Sequence, residues 1–177
     1  MKKISLKKTT SFRANIGLHG PFSFETGPLY AEIEQARENT TNTLCATTSI
    51  EHMLEETIQK YLFTQDTKKI EFFNKHILKT SFFTFATKKQ IVLTIVQKNN
   101  LLQGNKLSDL QKNLKAIMNY RNALVHGEFV GIHNDNSVLL KYFDGKPTQV
   151  TLNDNYWENL ETTFEKTYSL LEDIRSV

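Results

Sequence analysis

The stretch KLSDLQKNLKAIMNYRNALVHG, residues 106–127, decides how the rest of the chain is read. Leu110, Leu114, Ile117, Arg121 and Leu124 recur at steps of three and four, with Met118 and Val125 adjoining. That is the period of an amphipathic helix. Ser108, with Gln111 three residues on, forms a capping-box pair at its start. Gly127 suits the C′ position after its last turn. The stretch therefore predicts a helix whose last two turns carry Arg121, Asn122 and His126. Arg121 also falls within the apolar stripe. A guanidinium there is costly to bury unpaired and is expected to find a carboxylate, a carbonyl or a phosphate.

Working outward, the same period recurs. Residues 29–62 place Ile33, Ala36, Thr40, Leu44, Thr47, Ile50, Leu54, Ile58 and Tyr61 on one stripe. Pro28 stands where a helix can begin. One long helix is expected, with residues 40–48, rich in threonine, as the place for a break. Residues 67–78 predict a second helix, presenting Ile70, Phe73 and Ile77 on one side. Residues 85–98 predict a third, presenting Ile91, Ile95 and the neighbouring valines. Its β-branched residues make a strand the competing reading, while its length and lysine pair favour helix. After residue 127 the period changes. Phe129, Val130 and Ile132 precede the turn HNDN, residues 138–143 can form a strand, DGKP is a second turn, and residues 149–152 can form another short strand. Asn153 or Asp154 then caps a final helix with Trp157, Leu160, Phe164, Tyr168, Leu171 and Ile174 on one stripe. The fold expected is mainly α. Four or five helices pack as a bundle, with a small β-hairpin or meander at about residues 129–152, inserted before the last helix.

The chain has 177 residues, which suits one domain with a real core. Residues 25–177 are read as that domain and residues 1–24 as a basic arm. The arm is expected to be extended or partly disordered, with a short strand near residues 22–24. One cysteine, Cys45, excludes an intramolecular disulfide, and a reducing, cytoplasmic setting is the expectation. The basic start lacks the apolar run of a signal peptide, and no stretch approaches 18 apolar residues, so no membrane span is expected. The net charge of +3 is unevenly spread. Residues 1–24 carry +5, residues 25–63 carry −5, residues 64–126 carry +8 and residues 127–177 carry −5. The basic middle can attract a polyanion, or its lysines can simply solvate helix faces.

Arg121, Asn122 and His126 form a set suited to phosphodiester cleavage. At about 100° per residue, Asn122 and His126 share a face and Arg121 stands one step aside, so the three line one arc. Arginine offers a forked, permanently charged donor to phosphate oxygens and to charge building in a transition state. An imidazole, with an ordinary pKa of about 6.5, takes or gives a proton near neutrality. RNA supplies its own nucleophile in the 2′-hydroxyl, so no metal is required. Asn122 can orient the histidine or hold a phosphate oxygen. The structural alternative is plain: arginine and histidine in a helix's last turns interact well with the dipole and the free carbonyls.

The pattern R-N-x-x-x-H at Arg121, Asn122 and His126, late in a bundle helix and closed by glycine, resembles the signature of the HEPN superfamily. The helical order extends the resemblance over roughly residues 29–177. The arm and the β segment lie outside the core pattern. The resemblance implies an all-α bundle that homodimerises, with the two motifs facing across the interface. It implies a metal-independent endoribonuclease that leaves a 2′,3′-cyclic phosphate, in toxin–antitoxin, phage-defence or RNA-processing systems. Arg121 and His126 would be the catalytic pair and Asn122 the polar helper. RNA is the implied substrate, with a cognate antitoxin or regulatory protein as a further partner. The alternative within the family is a non-catalytic interaction or sensor module that binds a partner protein, for example a nucleotidyltransferase antitoxin.

Other candidates are weaker. EHMLEE sets His52 beside Glu55 and Glu56, which resembles half of a carboxylate–histidine metal site, but no matching cluster follows and a solvated face is expected. His126 and His133 make no metal pair. Cys45 is read as a core residue. The phenylalanines of SFFTF, residues 81–85, are read as core, with an RNA-stacking platform as the alternative. LLQGN has too few glycines for a phosphate loop. No cofactor and no metal are expected.

Overall fold

A computed structural model describes residues 28–63, 66–78, 80, 82–132 and 137–176. The basic arm with its expected strand, the turn HNDN and His133 lie outside the described residues. Five α-helices and three strands follow in the order α1 (Pro28–Phe63), α2 (Thr67–Phe73), a π turn (Asn74–Leu78), α3 (Phe85–Lys98), α4 (Lys106–His126), β1 (Glu128–Ile132), β2 (Ser137–Phe143), β3 (Pro147–Thr151) and α5 (Asp154–Ser176). The expected architecture of helices with a small antiparallel meander before the last one is what forms. No described helix is long and apolar enough to cross a membrane.

The described residues fall into two compact units. One comprises Cys45–Met118 and Thr163–Val177, and the other Lys2–Leu44 and Asn119–Thr162, each taken over its described residues.

The first unit is helical throughout. Ile50, Leu54, Ile58, Val92, Val96, Leu110, Leu114, Ile117, Phe164, Leu171 and Ile174 form its core. These are the stripes the periodicity anticipated. Long-range polar contacts fasten the helices to one another. Tyr168 donates its hydroxyl to the Ala46 carbonyl at 3.1 Å, and Lys106 Nζ lies 2.7 Å from Asp173 Oδ2. Arg175 meets Glu56 at 3.1 Å. α3 is a helix and not a strand, with Thr84 accepting from the Thr87 N–H at 3.3 Å as its N-cap. Its buried side carries Val92, Leu93, Ile95 and Val96, and Ile91 is half-buried.

Three sequence expectations fail here. Ile77 is exposed and Leu78 is buried in its place. The π turn explains the exchange, because its wider i→i+5 step brings Leu78, five residues after Phe73, back to the buried side. Phe82 is 86% exposed, and Phe83 and Phe85 are half-buried, so SFFTF is not a core segment. Cys45 is exposed, because the buried positions beside it are Ala46 and Thr47.

α1 is unbroken through residues 40–48. Its threonines bond to their own helix: Thr40 donates to Ala36 O at 2.8 Å, Thr41 to Arg37 O at 3.2 Å and Thr43 to Asn39 O at 2.8 Å. A hydroxyl satisfied one turn back lets a β-branched residue stay helical, which removes the reason for a break.

Lys88 is the least expected core member. Its ammonium is buried and lies 2.6 Å from both Glu51 Oε1 and Glu55 Oε1, one turn apart on α1. Burial alone would lower its pKa. The hydrogen bonds and charges of the two carboxylates outweigh that and raise it above 10.5. A cation held above its unfolded pKa contributes stability that is complete below about pH 10.5 and is lost as pH rises through the folded value. The urea midpoint of the wild type should therefore fall more steeply above pH 10.5 than that of Lys88→Met. Parallel slopes would remove Lys88 as the cause.

The second unit is built on the sheet. β1 and β3 flank β2, both antiparallel, with Phe129 opposite Leu140 and Leu140 opposite Val150. Val138, Leu140, Leu152, Trp157 and Leu160 are buried with Ala36, Ala123 and Leu124. α1 comes so close to β1 that a Cβ added at Gly131 would stand 2.8 Å from a Leu29 methyl. Gly145, in the DGKP turn, has φ +69°, a left-handed conformation that favours glycine. Asn153 is the N-cap of α5, its Oδ1 accepting from the Tyr156 N–H at 3.0 Å.

Candidate functional site

α4 starts three residues earlier than the capping box suggested. It begins at Lys106, with the Asp109 N–H donating to Asn105 O at 2.9 Å, and Ser108 sits exposed inside its first turn. Its end is where expected, at His126. The Gly127 N–H still donates to Ala123 O at 2.8 Å, and β1 begins one residue later.

Gly127 does not take the left-handed conformation of a helix cap, since the positive-φ glycines are Gly104 and Gly145. It is needed for room. A Cβ there would run into the Ala123 carbonyl oxygen, would stand 2.5 Å from Leu140 Cδ1, and would stand 3.0 Å from Lys141 O. The turn from helix to strand is pressed directly against β2.

Within this unit the last turns of α4 bury Ala123 and Leu124. Tyr120 packs edge-on to Tyr156 at 5.6 Å, and Tyr156 edge-on to Trp157 at 5.0 Å. Tyr156 is largely shut in, its hydroxyl has no hydrogen-bond partner among the described residues, and burial with the neighbouring Tyr120 and Tyr142 pushes its pKa up. These aromatics fix one side of the helix end. They were not legible as a cluster, because Tyr120, Tyr142 and Tyr156 come from α4, β2 and α5.

The other side of the helix end is open. Arg121, Asn122 and His126 are all exposed, and Val125 between them is 41% exposed. The expectation that Arg121 is drawn into the apolar stripe is therefore incorrect. Position 121 continues the stripe in sequence, but at this height the buried side of α4 is that of Ala123 and Leu124. The Arg121 guanidinium instead donates Nη1–H to Asn122 Oδ1 at 3.1 Å. That bond orients the fork while leaving most of its donors free. His126 makes no hydrogen bond or ion pair among the described residues. At about 100° per residue, Arg121 and His126 stand roughly 140° apart around the helix.

No protein-family model, no curated protein and no solved structure matches this chain.

The remaining candidates are accounted for locally. His52 Nδ1 lies 3.3 Å from Glu56 Oε1 on a solvated face of α1, and Glu56 also meets Arg175. Glu55, the other carboxylate of EHMLEE, is engaged by Lys88. Among the described residues no three His, Cys, Asp or Glu side chains come together as a metal site.

Proposed function

We propose that the chain is a metal-independent endoribonuclease of HEPN type, acting in the cytoplasm in a defence, toxin–antitoxin or RNA-processing role. One observation carries the reading. The whole R-N-x-x-x-H set stands exposed on the last turns of a helix whose other side is packed through Ala123 and Leu124, with the guanidinium held by Asn122 and the imidazole unengaged. Had these side chains been absorbed into caps or core contacts, the structural alternative would have been preferred.

The chemistry follows from the side chains. The 2′-hydroxyl loses its proton as its oxygen bonds to phosphorus. The P–O5′ bond breaks, the 5′-oxygen takes a proton, and a 2′,3′-cyclic phosphate remains. His126 is the proton carrier, Arg121 stabilises charge on the non-bridging oxygens, and Asn122 orients the fork. Because Arg121 and His126 diverge on one helix, the site is completed by a second copy, with the exposed Val125 at the contact. A homodimer is thus part of the proposal.

The deciding experiment incubates purified protein with mixed RNAs, with and without EDTA. Cleavage is expected in both, with products ending in cyclic phosphate. Loss of cleavage in EDTA would sink the metal-free mechanism. No cleavage in either, alongside stoichiometric capture of an antitoxin or other regulatory partner, would leave the non-catalytic module as the better reading.

A further inference from the structure

In the helical unit, Phe63, Lys68, Lys69, Phe72, Phe73 and Ile77 line a groove of about 270 Å³. Its floor is fixed. Phe73 is buried, with its ring 4.8 Å from Phe63 and 5.7 Å edge-on from Phe83. The π turn beside it is tied to α1 by Gln59 Nε2 donating to Asn74 Oδ1 at 2.9 Å.

The outer wall is different in kind. Phe72 is 61% exposed, and its ring lies 4.8 Å from that of His76 at a 37° tilt. Lys68, Phe72, Lys75 and His76 follow at steps of four, three and one, which places them along one side of α2 and the π turn. Lys69 is engaged by Asp66 at 3.0 Å, while Lys68 and Lys75 make no ion pair among the described residues. The surface has an aromatic pair flanked by two available cations. It lies in a basic part of the chain, since residues 66–98 hold seven lysines against two carboxylates.

A partner must offer flat apolar faces and regularly spaced negative charge. A peptide needs donors and acceptors for its backbone, and the groove walls present almost none. A nucleobase needs only a ring face to stack on, and its phosphates need only cations at the rim. We infer that this groove binds single-stranded RNA, with a base stacked on Phe72 and His76 and the neighbouring phosphates held by Lys68 and Lys75. It rests on the RNA-directed reading above and adds to it a contact that uses none of Arg121, Asn122 or His126.

The test uses a fluorescein-labelled 2′-O-methyl oligouridylate of about 12 nucleotides, which binds but has no nucleophile, against the full chain. Phe72→Ala should weaken binding by about tenfold, the scale of one lost stack. Lys68→Ala with Lys75→Ala should lower the slope of log affinity against log salt by about 1.4. A duplex of the same length should bind no differently to wild type and Phe72→Ala. Binding indifferent to Phe72, while the wild type cleaves the unmodified oligonucleotide, overturns the groove and spares the ribonuclease. Phe72-dependent binding without any cleavage supports the groove and overturns the ribonuclease. Phe72-dependent binding of an acidic apolar peptide, with none of the oligonucleotide, overturns the groove assignment.

Discussion

Replacing His126 with alanine is expected to lower the single-turnover rate of RNA cleavage by about 10²–10⁴-fold, the usual contribution of a positioned acid or base. The melting temperature should stay within about 2 °C of wild type, because an exposed side chain with no partner leaves neither cavity nor orphan behind. Few variants separate chemistry from folding so cleanly. Arg121→Ala should cost about 10²–10³-fold, the scale of one lost charge-stabilising donor. Arg121→Lys should recover part of that loss, since a lysine restores the charge and not the planar fork that Asn122 holds. In cells, growth arrest on expression should disappear with His126→Ala. Equal cleavage by wild type, His126→Ala and Arg121→Ala would remove the motif from the mechanism altogether.

The helices were legible because a buried stripe leaves its period in the sequence. Leu110, Leu114 and Ile117 on α4, and Trp157, Leu160, Phe164, Leu171 and Ile174 on α5, are buried as the period requires. The β segment was legible through its strand-like run at residues 138–143 and the DGKP turn that follows it. What the period does not carry is which partner stands opposite. Lys88 read only as half of a lysine pair that favours helix, yet it is buried because Glu51 and Glu55 on another helix receive it. Arg121 read as part of the stripe, yet it is exposed because the unit buries Ala123 and Leu124 at that level. Ile77 and Leu78 exchanged places because one π turn altered the step between buried positions. Each miss is a long-range or phase effect, invisible to spacing along one helix. The candidate site was readable as residue types, since an exposed cluster needs no partner to be recognised. Its exposure belongs to the three-dimensional arrangement.

Gly127 shows how that arrangement constrains the site, and Gly127→Ala should destabilise the protein by about 3 kcal/mol, at the upper end of what an overpacked position costs. For a chain of this size that is a fall of about 6–12 °C in melting temperature. Three atoms are in the way: the Ala123 carbonyl oxygen, Leu140 Cδ1 at 2.5 Å and Lys141 O at 3.0 Å. Leu140 could turn aside only within a core where it is fully buried, and the two carbonyls are backbone. Relief must therefore come from moving the end of α4 or the start of β1, and His126 is the adjoining residue. A displacement near 1 Å can cost about 10²-fold in rate, so cleavage per folded molecule should fall as well. Gly127→Asn separates this account from a capping one. Asparagine is tolerated in left-handed caps and would be mild if Gly127 served as one. Where close approach is the reason, asparagine should be at least as damaging as alanine. Gly145→Ala is the control: with φ +69° and open space around it, it should cost only about 1–2 kcal/mol of backbone strain. Melting of Gly127→Ala and Gly127→Asn within about 2 °C of wild type would show that β2 does not hold the helix end, and that His126 is positioned by α4 alone.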